Sequence, residues 1–179
     1  MENVPEPPDG YKEPQRYELE NWKIAIVAVV NLSIFFVIFK SLNARFLLPN
    51  EPVSNLTALG FAVAATLYLH ESMHYVVADF FGYEPKFVWP NRVDFGVEIL
   101  RTRPTVASLL APQLLSVLYV ELIYVGVAPV LEIILVISLL LNLFAGAADV
   151  CWAIRRLSWP RGTVFINDGD EGYVAFLKD

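Results

Sequence analysis

Four stretches of this 179-residue chain are each long and apolar enough to cross a membrane as a helix. They cover residues 22–39, 57–81, 105–125 and 130–154, and only residues 126–129 separate the last two. Hydrophobic residues make up 56% of the chain, and the mean hydropathy is +0.49, which is more apolar than a typical soluble domain. The sequence therefore predicts an all-α membrane protein with four transmembrane helices.

The segments on either side of this 22–156 domain have a different composition. Residues 1–21 combine several prolines with many acidic residues and have too few apolar side chains to bury a core, so we predict a disordered tail. The apolar stretch that follows is longer than the core of a signal peptide, and we expect it to remain as an anchor. Residues 157–179 are predicted to form a cytoplasmic tail with a short hairpin over 163–177.

A short segment between the second and third apolar stretches has the pattern of a strand. Val93, Phe95, Val97 and Ile99 alternate with Asp94, Gly96, Glu98 and Leu100. With a turn at residues 90–92, this pattern predicts a β-hairpin over about 86–100, whose edge is suited to binding an extended peptide. A plain amphipathic connector at the membrane surface is the alternative.

The distribution of positive charge predicts the orientation in the membrane. The chain has 13 lysines and arginines, and if the N-terminus is cytoplasmic only Lys40 and Arg45 fall on the outer side. We therefore expect a multi-pass protein of the cell membrane with both termini in the cytoplasm. The net charge of −6 provides no basic patch of the kind that binds nucleic acid, so nucleic-acid binding is not expected.

Both histidines of the chain lie in one motif within the second apolar stretch. The motif is His-Glu-Ser-Met-His at residues 70–74, which matches the pattern H-E-x-x-H. Residues four apart share one face of a helix, so His70 and His74 can bind one Zn²⁺ while Glu71 acts as a general base. The alternative is a pair of buried histidines that only hydrogen-bond to neighbouring helices, although ionisable side chains at membrane depth are usually functional.

A catalytic zinc site needs a third protein ligand, and the acidic residues can be tested in turn. Asp79 lies about 140° around the helix from His74 and about 180° from His70, so it faces away. Glu121 and Glu132 flank the turn at the outer side of the membrane. Asp149 is an acid in the inner half of the fourth apolar stretch, at the depth expected for the two histidines. We predict Asp149 as the third ligand; the alternative is an interfacial ion pair with Arg155 or Arg156.

Two amide side chains are predicted to lie near this site. Asn142 precedes Asp149 by two helical turns on the same face, where it could hydrogen-bond the metal site, a substrate peptide or simply another helix. In the third apolar stretch, Pro112 cannot donate a backbone hydrogen bond and leaves a carbonyl free near Ser108. Gln113 beside it is predicted to line the cavity, unless it only accompanies a kink.

These motifs resemble a known family. The His70-Glu71 motif in a transmembrane helix, a following basic segment, Ala111-Pro112 in the next helix and Asp149 late in a further helix are similar to the zincin peptidase family of small multi-pass membrane proteins. A more distant similarity is to the site-2 proteases, which are intramembrane metalloproteases. The resemblance covers about residues 57–156 and implies catalytic zinc held by His70, His74 and Asp149.

The function predicted from these features is zinc-dependent hydrolysis of peptide bonds in transmembrane or membrane-associated protein substrates. Zinc would activate a water molecule and polarise the scissile carbonyl, and Glu71 would accept the proton of the water. Two alternatives remain at this stage. A non-catalytic membrane scaffold would use the same residues as a structural zinc site, and an ion or proton transporter would use them as a polar path.

Overall fold

The computed structural model describes residues 8–12, 15–17, 19–42, 52–88, 92–96, 99–167 and 173–178. Most of this part of the chain is helical. The helices are α1 (Asn21–Ser41), α2 (Pro52–Phe80), α3 (Thr102–Leu110), α4 (Gln113–Val125) and α5 (Pro129–Leu157). The strands are β1 (Gln15–Tyr17), β2 (Lys86–Val88), β3 (Arg92–Asp94), β4 (Ile99–Arg101), β5 (Val164–Asn167) and β6 (Tyr173–Phe176).

Among the described residues, three helical segments are long and apolar enough to cross a membrane. They are Asn21–Ser41, Thr102–Val125 and Pro129–Leu157, and each contains one of the predicted apolar stretches. The middle segment consists of α3 and α4, which are interrupted at Ala111 and Pro112 because proline has no backbone N–H to continue the helix. α2 contains nearly all of the remaining predicted stretch, 57–81, but is not among these three.

Helix α5 is the central element of the helical bundle and packs against α1, α2, α3 and α4. The main apolar core lies between α1, α4 and α5 and includes Phe35, Tyr119 and Leu139. A buried hydrogen bond also joins α1 to α5, because the Asn31 side-chain amide donates to the Leu143 carbonyl over 2.7 Å. Many large apolar side chains on the outer faces of the helices are exposed, as expected for surfaces that contact lipid.

Four strands form an antiparallel sheet at one end of the helices, in the order β1-β6-β5-β4. Phe165 of β5 pairs with Leu100 of β4 on one side and with Ala175 of β6 on the other, and all three side chains are buried. The predicted hairpin over 163–177 is confirmed as β5 and β6, although its turn at 168–172 lies outside the described residues. The prediction of disorder over residues 1–21 is wrong for 15–17, because this segment pairs with β6, about 160 residues away in sequence.

The hairpin predicted over about 86–100 is shorter than expected. β2 pairs with β3, so that Phe87 lies opposite Val93, and the predicted turn at 90–92 lies largely outside the described residues. The strand does not continue to residue 100 as the alternating pattern suggested. Gly96 has a positive φ of 66°, and a side chain there would meet the Glu84 carbonyl oxygen at 1.9 Å. β3 ends at Asp94, and β4 joins the four-stranded sheet instead.

Candidate metal centre

The two histidines of α2 lie on the same face of the helix and point into the protein. His70 is 4% exposed and His74 is 7% exposed, and their ring centroids are 5.1 Å apart. Ligand atoms of His70, Glu71 and His74 lie within 4.8 Å of one another, so these three residues could hold a metal ion. This arrangement follows directly from the four-residue spacing on a helix.

Asp149 of α5 approaches both imidazole rings from the neighbouring helix. Its Oδ2 atom lies 3.0 Å from His70 Nε2 and 3.5 Å from His74 Nε2. The side chain is largely buried, with 17% of its surface exposed. The structure thus brings together the two histidines and the acid that the sequence predicted, and a single carboxylate oxygen faces the Nε2 atoms of both rings.

The Nδ1 atoms of both histidines contact fixed oxygen atoms. His70 Nδ1 lies 2.9 Å from Asn142 Oδ1, and His74 Nδ1 lies 2.8 Å from the Ser108 carbonyl oxygen. The orientation of the Asn142 amide is set by its nitrogen, which donates to the Pro112 carbonyl over 2.9 Å and to Ser116 Oγ over 2.8 Å. Since both partners of the rings are hydrogen-bond acceptors, each Nδ1 must carry a proton.

This assignment determines the chemistry of the other ring nitrogens. In a neutral histidine with a proton on Nδ1, Nε2 carries a lone pair. Two such lone pairs and a carboxylate oxygen converge between α2 and α5, and these three acceptors are satisfied either by protons on the rings or by a metal ion bound between them. Two imidazole nitrogens and one carboxylate oxygen are a common ligand set for catalytic zinc, and histidine ligands typically donate their other N–H to an oxygen in this way. The residues present therefore fit a metal ion.

The contact to His74 depends on the break between α3 and α4. Pro112 has no N–H to donate to the carbonyl of Ser108 four residues earlier, so this carbonyl is accessible to His74. The Ser108 hydroxyl also donates to the His74 carbonyl over 2.9 Å, which joins α3 to α2 a second time. The sequence indicated that the carbonyl near Ser108 lacks a donor at Pro112, but the roles of the two serine hydroxyls, at Ser108 and Ser116, carried no recognisable signal.

The β2-β3 hairpin lies against α2 beside Glu71. The Phe87 ring stacks on Tyr75 with centroids 5.0 Å apart and on Tyr68 with centroids 6.3 Å apart. The partly buried Glu71 carboxylate interacts with the backbone N–H of Val93 in β3. Glu71 is therefore held between the histidine ligand atoms and the hairpin.

Gln113, the first residue of α4, packs against α5 at Gly146. Gly146 lies one turn after Asn142 and one turn before Asp149, so the three share a face of α5. A Cβ atom at Gly146 would lie 2.0 Å from Gln113 Nε2. This nitrogen is buried and has no hydrogen-bond partner among the described residues. That Gln113 lines the cavity of the site stays a prediction.

Comparison with protein-family models, curated proteins and solved structures finds no match for this chain. The function must therefore be argued from the geometry of the site.

We expect Asn142→Leu to weaken zinc binding by about 10- to 100-fold, as is typical when a hydrogen-bond partner of a metal-ligating histidine is removed. The affinity is measured by competition with a chromophoric chelator. Asn31→Leu is a matched control, since Asn31 is a buried amide that joins α1 to α5 without contacting a histidine. The control should lower the melting temperature and leave zinc affinity unchanged, and equal zinc affinity in Asn142→Leu and wild type would contradict the assigned contact.

Proposed function

We propose that this protein is a zinc-dependent peptidase that hydrolyses peptide bonds of transmembrane or membrane-associated protein substrates. The observation that carries the proposal is the convergence of His70 Nε2, His74 Nε2 and Asp149 Oδ2, with each Nδ1 bound to an oxygen acceptor. Three protein ligands of this kind leave a coordination position for water, as catalytic zinc sites require.

The residues around the ligands support hydrolysis rather than metal storage. When bound, zinc would polarise the scissile carbonyl and lower the pKa of water to about 7. Glu71 follows His70 on the helix and lies about 100° around it, close to the ligand atoms but on a different face. Its carboxylate accepts the proton of the attacking water and delivers it to the nitrogen of the leaving amine, so that the carboxylate is restored after each cleavage.

We further propose that α2 is a fourth membrane span. The four-stranded sheet joins strands that precede α1, precede α3 and follow α5, so these three helix ends lie at one end of the bundle. The C-terminal end of α1 lies at the opposite end of the bundle from the sheet, so the chain must cross the bundle again before it reaches β4. α2 is about 44 Å long, which is enough for this crossing. Near its C-terminus, Ala78 packs with Phe165 of the sheet. Four crossings leave both termini on one side, and the lysines and arginines favour the cytoplasm.

The position of the site supports substrates within or next to the membrane. His70 and His74 are buried between α2, α3 and α5, and two of these helices belong to segments long enough to cross a membrane. A peptide bond in a helix is shielded by its own hydrogen bonds, so cleavage requires a locally extended segment. The lipid bilayer is the expected environment of both enzyme and substrate.

Removing the metal tests this function. Purified protein is incubated with detergent-solubilised membrane proteins, and new peptide termini are identified by mass spectrometry. We expect cleavage products that disappear after treatment with a zinc chelator and return when zinc is added, because a metal-free site has no means of polarising the carbonyl. Cleavage that resists the chelator would contradict a zinc peptidase, and zinc-loaded protein that cleaves nothing would favour a structural zinc site or a transporter.

A further inference from the structure

The two side-chain amides beside the metal centre differ in how many of their hydrogen bonds are used. Asn142 is fully occupied: its oxygen contacts His70 Nδ1, and its nitrogen donates to the Pro112 carbonyl and to Ser116 Oγ. It has no N–H left for a substrate. Gln113 has a buried Nε2 atom with two hydrogens and no acceptor among the described residues.

A buried donor without a partner is costly in the free protein. Such a group loses its hydrogen bonds to water and gains none in the protein, and the cost is larger where water is excluded. A leucine or methionine would fill the same space between α4 and α5 without this cost. The presence of glutamine therefore points to an acceptor that arrives from outside the chain.

The surroundings of Gln113 indicate where this acceptor binds. Its Nε2 atom rests against Gly146, on the face of α5 that carries Asn142 toward one end and Asp149 toward the other. Gly146 has no side chain, and any larger residue would occupy the position of the amide. Gly146 precedes Asp149 by three residues, or about 4.5 Å along the helix axis, so the donor contacts α5 within one turn of a candidate metal ligand.

We propose that Gln113 is a substrate-binding residue, whose amide N–H donates a hydrogen bond to a backbone carbonyl of a peptide bound at the metal centre. This inference rests on the proposed peptidase function and deepens it. A backbone carbonyl is the appropriate acceptor because every peptide carries one at each residue, whatever its side chains. Gln113 would therefore contribute to the binding of an extended peptide without selecting its sequence.

The test uses two probes and the zinc-loaded, full-length protein. One probe is acetyl-Leu-Ala-hydroxamic acid, and the other is the same molecule with sulfur in place of the oxygen of the carbonyl between Leu and Ala, which is a weaker acceptor and leaves the probe uncharged. We expect wild type to bind the carbonyl probe up to about tenfold more tightly than the thiocarbonyl probe, as expected for one buried hydrogen bond. Gln113→Met should bind both probes equally, with unchanged zinc content and an equal or higher melting temperature, because an unsatisfied amide is removed.

A second variant moves the amide without deleting it. Gly146→Ala places a methyl group 2.0 Å from Gln113 Nε2 and forces the flexible end of that side chain away. We expect Gly146→Ala to lose the preference for the carbonyl probe while keeping zinc. Gly60→Ala is the matched control, since a Cβ at this helical glycine meets nothing within 4 Å, and it should keep the wild-type preference.

The outcomes separate this inference from the function on which it rests. A tenfold preference that persists in Gln113→Met would overturn the role of Gln113 while leaving peptide binding intact. A clear fall in the melting temperature of Gln113→Met would show that the amide has a structural partner, which also overturns the proposal. If wild type binds neither probe, peptide binding at the metal centre fails, and the role of Gln113 fails with it.

Discussion

Glu71→Gln is expected to abolish most peptide cleavage while leaving the metal in place. The amide has nearly the same volume as the carboxylate but cannot accept a proton from water, and loss of a general base typically lowers the rate by a factor of about 10² to 10⁴. The metal ligands in our account are His70, His74 and Asp149, so zinc content and melting temperature should match wild type. The rate is measured on the fastest-cleaved peptide bond found in the digest of membrane proteins.

The matched control for this variant is Glu121→Gln. It makes the same chemical change at an exposed carboxylate on α4, away from the motif, and should cleave at the wild-type rate. Wild-type cleavage by Glu71→Gln would refute the role of Glu71 as the base. Loss of zinc from Glu71→Gln would instead identify Glu71 as a metal ligand, which is the arrangement expected of a closed, structural site.

The helices were predictable from sequence because long apolar stretches dominate their energetics in a membrane. The break between α3 and α4 was also foreseeable, since Pro112 cannot donate to the Ser108 carbonyl. Hydropathy alone did not decide whether α2 crosses the membrane. The residues that give this helix its chemistry, His70, Glu71 and His74, also reduce its apolar character.

The candidate site was predictable where it depends on helical periodicity. His70 and His74 share a face of α2, and Asn142 and Asp149 share a face of α5, because spacings of four and seven residues bring side chains into line. The side chains of these two faces come into contact because α2 and α5 pack together. The choice of Ser108 and Ser116 as hydrogen-bond partners depends on the exact packing of α3 and α4, which no local pattern specifies.

The four-stranded sheet could not have been assembled from the sequence. β1 is only three residues long and lies in a segment rich in prolines and acids, and its partner β6 is near the other end of the chain. The residues of β4 were expected to lie in the hairpin that contains β2 and β3, but β4 pairs with β5. Pairings of short strands over long sequence separations are decided by tertiary structure rather than by local composition.

Zinc content shows directly whether this protein holds a metal ion between α2 and α5. Metal analysis of purified protein should find about one zinc per wild-type chain, since the three converging ligands form one mononuclear site. The His70→Ala, His74→Ala double variant should contain almost no zinc, because the Asp149 carboxylate alone binds zinc too weakly.

Asp149→Ala should lose zinc in the same assay, whereas Asp79→Ala, which removes an exposed carboxylate from the same region of α2, should retain it. We therefore expect metal to be lost when the histidines or Asp149 are removed and to be retained when Asp79 is removed. Wild-type zinc content in the double histidine variant would contradict the metal centre itself, and wild-type zinc content in Asp149→Ala would show that another group is the third ligand.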